Sequence, residues 1–320
     1  MSTASATPPR RRLADAHVKL TDRIGEPAFH ILCGLAALIT VLLIIWIIET
    51  VFNKASPAIS HFGLSFLTTT TWDDVHNNYG AAALIYGTFV SSLIALLLAT
   101  PMAILIAIFL TELAPQFIRR PITILVELLA AIPSVILGLW GILILGPFMV
   151  NHLEPFLHSF LGWIPLFSGS YSISGMLPAA LILTFMALPI ITSITREVFQ
   201  TTDASLKEAA YALGATRWEM VRMTVLPISR PGIVGAVILG LGRALGEAIA
   251  VTQVIGNVSQ IKASLFAPAG TLASWIANGY QSANPGLGQS SLIYLGAILL
   301  VISLIVNLAA RLIIRRTGPR

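Results

Sequence analysis

Apolar residues gather along this chain in six long runs separated by shorter polar stretches. The runs lie near residues 29–51, 86–110, 122–146, 176–194, 232–252 and 291–313. Each reaches the ~20 residues that a helix needs to cross hydrocarbon. Helix is the element expected of each, because a segment alone in lipid must satisfy its own amides and carbonyls. The pattern therefore predicts an all-α, polytopic membrane protein with six transmembrane helices. Residues 29–320 form its membrane domain, and 1–28 form a cytoplasmic, partly disordered arm. The third run holds one charge, Glu127, and the fifth holds two, Arg243 and Glu247; the other four have none well inside.

Composition agrees with this picture and narrows it. Of 320 residues, 56% are hydrophobic and 10% charged, which excludes an ordinary soluble domain. Sixteen of the nineteen Lys and Arg lie in the arm, in the loops after runs two and four, and behind run six. Only Lys54 and Lys262 lie on the other side, and Arg243 is inside a run. By the positive-inside rule both ends and the loop between runs four and five are cytoplasmic. The net charge of +5 is thereby topogenic and needs no nucleic-acid partner. The first run is too long for a signal-peptide core and is read as an uncleaved anchor. The opening MSTASATPPRRR is expected to be disordered. A single cysteine, Cys33, excludes an intrachain disulfide, and the six His show no metal-binding spacing.

None of the four Lys follows a Gly, so the chain has no phosphate-binding loop of the GxxxxGK[ST] type. Uphill transport would then draw its energy from a partner. No GxSxG or paired-His constellation supports a membrane enzyme either.

The polar stretches carry their own signals. Residues 52–85 hold Trp72, Asp73 and Tyr79, a mixture of aromatic area and polar groups suited to docking a protein, or equally to anchoring a loop at the bilayer surface. Residues 271–278 are expected to form a short surface helix, with Trp275 as an interfacial anchor. Residues 147–175, rich in aromatics, Gly and Ser, with the single charge Glu154, are expected to lie partly in the interface.

Within run five, Arg243 lies 11 residues past Gly232, roughly 16 Å deep at 1.5 Å per residue. A charge at that depth costs about 2.5–3.5 kcal/mol and normally faces protein or water. Glu247, four residues on, shares its helix face. Two readings stand: an anion site whose Arg fork is held by Glu247 when empty, or a self-neutralising pair that locks the helix in place. Gly235, Gly240, Gly242 and Gly246 thin this helix for close packing against another, including one from a second subunit. Glu127 is expected to reach the interface or bond a neighbour, Pro133 to kink its helix, and Asn307 to bond another helix.

Between runs four and five, residues 204–227 form a polar insertion containing EAAYALGATRWEMVRMTVLP. Residues 206–213 favour helix, and Gly214 suits the left-handed position that ends one. Thr216 and Glu219 are spaced for a capping box, and Pro227 is expected to stop the second helix. Glu208, Ala209, Ala210, Gly214, Leu226 and Pro227 together resemble the EAA loop of the membrane subunits of bacterial ABC importers, although Thr224 stands where that family usually has an aliphatic residue.

Four further stretches sharpen the resemblance: FLTTTTWDD at 66–74, the run from 79 to 115, ELLAAIPSVILGLWG at 127–141, and LGRALGEAIAVTQVIGN at 241–257. Together they are similar to the PstC-type permeases of phosphate ABC importers; the Trp-Asp element followed by Tyr-Gly separates them from the PstA sibling. The resemblance implies the type I importer permease fold and a place in the cell inner membrane. It implies a heterodimer with a PstA-type permease, a PstB-type ATPase pair that binds ATP and Mg inside, and a PstS-type phosphate-binding protein outside. No cofactor is expected in this chain itself. The family's Arg and Glu map onto Arg243 and Glu247, its ATPase coupling residues onto the EAA loop. A permease for sulfate or molybdate, and a subunit that senses phosphate status, remain the alternatives.

Overall fold

The computed structural model describes the backbone of residues 20–317 and the side chains of 29–312. Two compact units divide the chain, Met1–Thr50 and Val51–Arg320. In the first, the described residues belong to α1 (Leu20–Phe62). Of the expected 1–28 arm, residues 1–19 lie outside the described ones, as does the expected disorder at its start; from Leu20 the backbone is already helical. The large apolar side chains from Phe29 to Ile48 are exposed, as they must be on a helix whose solvent is hydrocarbon.

In the second unit, α1 ends at Phe62 and a 3₁₀ turn, Gly63–Leu67, leads to a hairpin of β1 (Trp72–Asp73) and β2 (Asn78–Tyr79). Next comes α2 (Ala82–Ile108), closed by a π-helical turn at Phe109–Leu113. Ala95, Ala99, Ala103 and Ala107 recur every fourth residue on one face of α2 and are buried. Small side chains at that spacing let backbones approach closely where lipid supplies no hydrophobic drive. Their partners are α7 (Met176–Gln200) and α10 (Leu226–Gly246). Buried residues make up 72% of the membrane window of α7, against 22–33% for those of α2, α10 and α13 (Leu287–Thr317). This places α7 at the centre of the bundle. Among the described residues six helical stretches are long and apolar enough to span a bilayer, in agreement with the six runs.

The third run departs from its expected bounds. Residues 122–146 are not one helix: α3 (Gln116–Ala131) stops at Ile132, which is extended, and α4 (Ser134–Trp140) starts afresh after Pro133. The ring of Pro133 disfavours a helical conformation in the residue before it, so the expected kink is a full break. The span then continues through π-helical turns at Gly141–Leu145 and Met149–Leu153, by way of α5 (Gly146–Phe148), into α6 (Glu154–Leu161). Most of the stretch expected to lie in the interface is thus helix. Glu127 stays on α3, outside that span, and meets Arg196 of α7 at 3.7 Å.

The fifth run is also broken. α10 ends at Gly246, Glu247 is extended, and a separate α11 (Ile249–Val254) follows. The short helix expected at 271–278 is α12 (Leu272–Gly279), capped by Thr271 and Ser274 in a reciprocal pair of bonds. Asn307 bonds the Ser303 carbonyl of its own helix at 2.8 Å, not a neighbouring helix as expected.

Candidate functional site

The 204–227 loop folds as its local signals require. α8 (Ala204–Ala212) ends in a Schellman motif: Gly214 N–H donates to Tyr211 O at 2.9 Å and Ala215 N–H to Ala210 O at 3.1 Å. Gly214 takes φ +83°, the left-handed conformation that glycine reaches without strain. Two residues later Thr216 caps α9 (Arg217–Met220), and Glu219 returns a bond to the Thr216 amide at 2.8 Å, completing the capping box. Pro227 does not stop this second helix. The chain widens into a π-helical turn at Val221–Val225 and runs on into α10, with Pro227 in its first turn. A proline is tolerated there because the π-helical turn ahead of it widens the backbone and makes room for the ring.

Glu208 and Ala209 are exposed on α8, while Ala210 packs with Ala107, Ile108 and Phe199. Leu206, Ala209, Leu213, Gly214 and Met223 line an open groove of about 460 Å³, together with Thr224. Leu213 is 90% exposed at its rim. Leu206 and Met223, which line the same groove, are exposed as well. Leu226 and Pro227 are half-buried behind the groove.

Arg243 occupies the last turn of α10. Its side chain is exposed and lines a pocket of about 120 Å³ whose other walls are Leu129, Ala130, Ile132, Leu137, Met186 and Ile190. The pocket sits beside both helix breaks: Ile132 immediately precedes Pro133, and Arg243 lies four residues before Glu247. Irregular backbone is tolerated at membrane depth where it is buried in protein or lines a cavity.

The pairing expected between Arg243 and Glu247 is absent. Among the described residues the ion pairs are His76–Asp73, Arg196–Glu127 and Lys207–Glu112. Glu247 takes φ −72°, ψ 115°, and its Oε1 accepts the Ala250 amide of α11 at 3.2 Å. The expectation assumed one continuous helix, in which residues four apart share a face. Interrupting the helix at Glu247 removes that adjacency.

At the opposite end of the bundle, the β1–β2 hairpin presents its tip and buries its base. Val75 is 84% exposed. Asp73 accepts the amides of Val75 at 2.8 Å and His76 at 3.3 Å, and its Oδ2 lies 2.6 Å from His76 Nδ1. The bond to His76, with these two amides, holds the Asp73 carboxyl below its ordinary range. Tyr79, expected on a docking or anchoring surface, is fully buried; its ring lies 4.8 Å from that of Trp72, which in turn lies 5.7 Å from Trp275 of α12. Burial pushes the Tyr79 phenol up. Trp72 and Tyr79 therefore fasten the hairpin, leaving Asp73 and the tip as its accessible part.

One carboxylate was named in the sequence without a role. Glu154 is completely buried in the third span, where its Oε2 accepts the Ser172 amide at 3.0 Å. Nothing local distinguished it from a loop carboxylate.

The model of the family described as "Binding-protein-dependent transport system inner membrane component" matches residues 99–319. The chain is 46% identical to the "Phosphate transport system permease protein PstC" of Mesorhizobium japonicum, over 98% of this chain and 97% of that protein. It is 44% identical to the protein of the same name from Haemophilus influenzae, over 91% and 93%. Among solved structures, a chain of a bacterial alginate ABC transporter superposes with TM-score 0.62 at 18% identity, over 93% of this chain and 97% of that one. A chain of the inward-facing MetNI methionine ABC transporter superposes with TM-score 0.52 at 22% identity, over 75% and 95%. The fold is that of type I ABC importer permeases.

Proposed function

The chain belongs to the family of inner membrane components of binding-protein-dependent transport systems, and we propose that it is the subunit through which an ATP-driven importer passes inorganic phosphate. The observation that carries this reading is Arg243: a guanidinium with no carboxylate partner among the described residues, lining a pocket beside two helix breaks. An anion leaving water needs a compensating positive charge, and an Arg fork matches tetrahedral oxyanions. Sulfate and molybdate share that chemistry. Phosphate is favoured over them because relatives bearing the phosphate-permease name match over nearly the whole chain.

Glu247 is the counterpart in this mechanism. With its carboxylate on the Ala250 amide it leaves Arg243 free for an anion. If the break straightened, Glu247 would come onto the helix face of Arg243 and neutralise it, closing the empty site. The groove beside Leu213 receives the ATPase subunits, PstB-type, which bind ATP and Mg and perform the hydrolysis. Both termini and this loop are cytoplasmic, from the distribution of basic residues. Gly242 and Gly246 are exposed, and an added Cβ at either would meet nothing within 4 Å. That leaves room for the close approach of a PstA-type partner helix. The tip around Asp73 and Val75 is where a PstS-type binding protein docks.

Uptake of radiolabelled phosphate by cells lacking this chain tests the proposal, with sulfate and molybdate as controls. Loss of phosphate uptake alone is expected. Unchanged phosphate uptake with altered phosphate-dependent gene expression would instead support a sensing subunit.

A further inference from the structure

The 204–227 loop and the outer loop at 253–290 lie at opposite ends of the bundle, and α2, which adjoins neither in sequence, is bonded through side chains to both. At the inner end, Lys207 Nζ of α8 donates to Glu112 Oε1 at 2.7 Å, across 95 positions of sequence. Glu112 belongs to the π-helical turn that ends α2, and its side chain is only 9% exposed. Arg119 braces the same turn by donating to the carbonyls of Thr111 and Ala114 at 3.0 and 3.3 Å. At the outer end, the Thr88 hydroxyl of α2 accepts the amide of Leu272, the first residue of α12, at 2.9 Å, and is itself buried. Two residues earlier Tyr86 donates to the Lys262 carbonyl at 2.9 Å. Between these ends α2 is unbroken helix, roughly 40 Å long at 1.5 Å per residue.

These bonds are unlike the other contacts of the 204–227 loop. Ala210 rests against Ala107 and Ile108 of α2 in a purely apolar cluster. Such a contact can slide, because it has no preferred direction. A half-buried, charge-assisted bond has a preferred length and direction, so it resists being pulled apart as well as pushed together. Loop and rod are thus joined at one ionic point, and rod and outer loop at two hydrogen bonds.

Resting on the importer reading above, we propose that Lys207 and Glu112 are positioning residues that fasten the ATPase-bound loop to α2, and that α2 carries the movement to the outer loop around Lys262 and Leu272. Their role is to couple ATP hydrolysis to opening of the outer face. They neither bind the ATPase nor touch the anion.

The test uses the assembled transporter in vesicles, in a Cys33→Ser background with Lys262→Cys as a reporter at the outer loop. In the parent, trapping the ATPase with ATP and vanadate is expected to change the thiol-labelling rate at position 262. Lys207→Met or Glu112→Gln should remove that change and lower phosphate moved per ATP hydrolysed, roughly two- to thirtyfold for a lost coupling contact. Hydrolysis itself should persist. Lys207→Arg, and the exchange Lys207→Glu with Glu112→Lys, should restore both readouts. A parent-like labelling response and transport ratio in Lys207→Met would overturn the proposal. If Lys207→Met fails to assemble, the exchange decides: an assembled exchange variant that hydrolyses ATP without the labelling response overturns it equally. The reporter does not depend on cargo. A parent that moves no phosphate, yet shows a labelling response that Lys207→Met removes, would refute the phosphate reading and support this one.

Discussion

Replacing Gly214 isolates the contribution of one backbone conformation to coupling. Gly214 sits at φ +83°, and a Cβ built there meets nothing within 4 Å. A substitution is therefore penalised through its own backbone and not through a clash. For an L residue the left-handed region costs about 1–2 kcal/mol, and more for a β-branched side chain. At 1.4 kcal/mol per decade, this lowers the ratio of closed to reopened Schellman turn by roughly five- to thirtyfold. Reopening also releases the bonds from Gly214 N–H to Tyr211 O and from Ala215 N–H to Ala210 O, each worth about 1 kcal/mol net. Gly214→Asn should be nearly normal, because Asn tolerates this region; Gly214→Ala should be intermediate and Gly214→Val the most impaired. The assay is phosphate uptake alongside ATP hydrolysis by the assembled complex, with complex yield as a control. Both activities should fall together in that order at unchanged yield. A Gly214→Val complex with normal, coupled hydrolysis would refute the reasoning, since the turn would then be dispensable to the loop's attachment.

Arg243→Gln is expected to abolish phosphate uptake at normal complex yield, because Glu247 bonds the Ala250 amide and is not left unpaired by the change. Arg243→Lys, which keeps the charge and loses the fork, should retain part of the uptake; a fully active Arg243→Gln transporter would rule out the anion site. Gly87→Ala should lower the thermal stability of the complex by about 1–3 kcal/mol and reduce uptake, because its Cβ would run into the Gly270 carbonyl oxygen, a backbone atom that cannot swing aside. Parental melting behaviour would show that α2 and the outer loop are less closely fitted than this. In intact cells, a thiol placed by Lys262→Cys should react with an impermeant reagent and one placed by Lys207→Cys should not; labelling at 207 would invert the assigned topology.

What the sequence determined by itself is whatever depends on neighbours a few positions apart. Six apolar runs of membrane length announced six spans, because hydrocarbon admits only segments that satisfy their own backbone. The turn at Gly214, the box formed by Thr216 and Glu219, and the short helix after Thr271 followed from side chains within one helical turn of each other. Helix breaks were less legible. Pro133 signalled an interruption without its extent, and nothing in LGRALGEAIAV distinguishes a continuous helix from one that stops at Gly246. Whether an amide finds its helical partner there or the carboxylate of Glu247 depends on how α11 packs, so the sequence could not tell that Glu247 bonds the Ala250 amide here and not Arg243. Burial was the other decision left to tertiary structure. Tyr79 and Glu154 lie in polar or mixed stretches yet are fully enclosed, and Lys207 finds Glu112 across 95 positions. Hydropathy along a chain records the solvent each segment prefers. It carries no account of which distant segment will supply the other wall, and that wall decides which charges are paired and which, like Arg243, meet no carboxylate among the described residues.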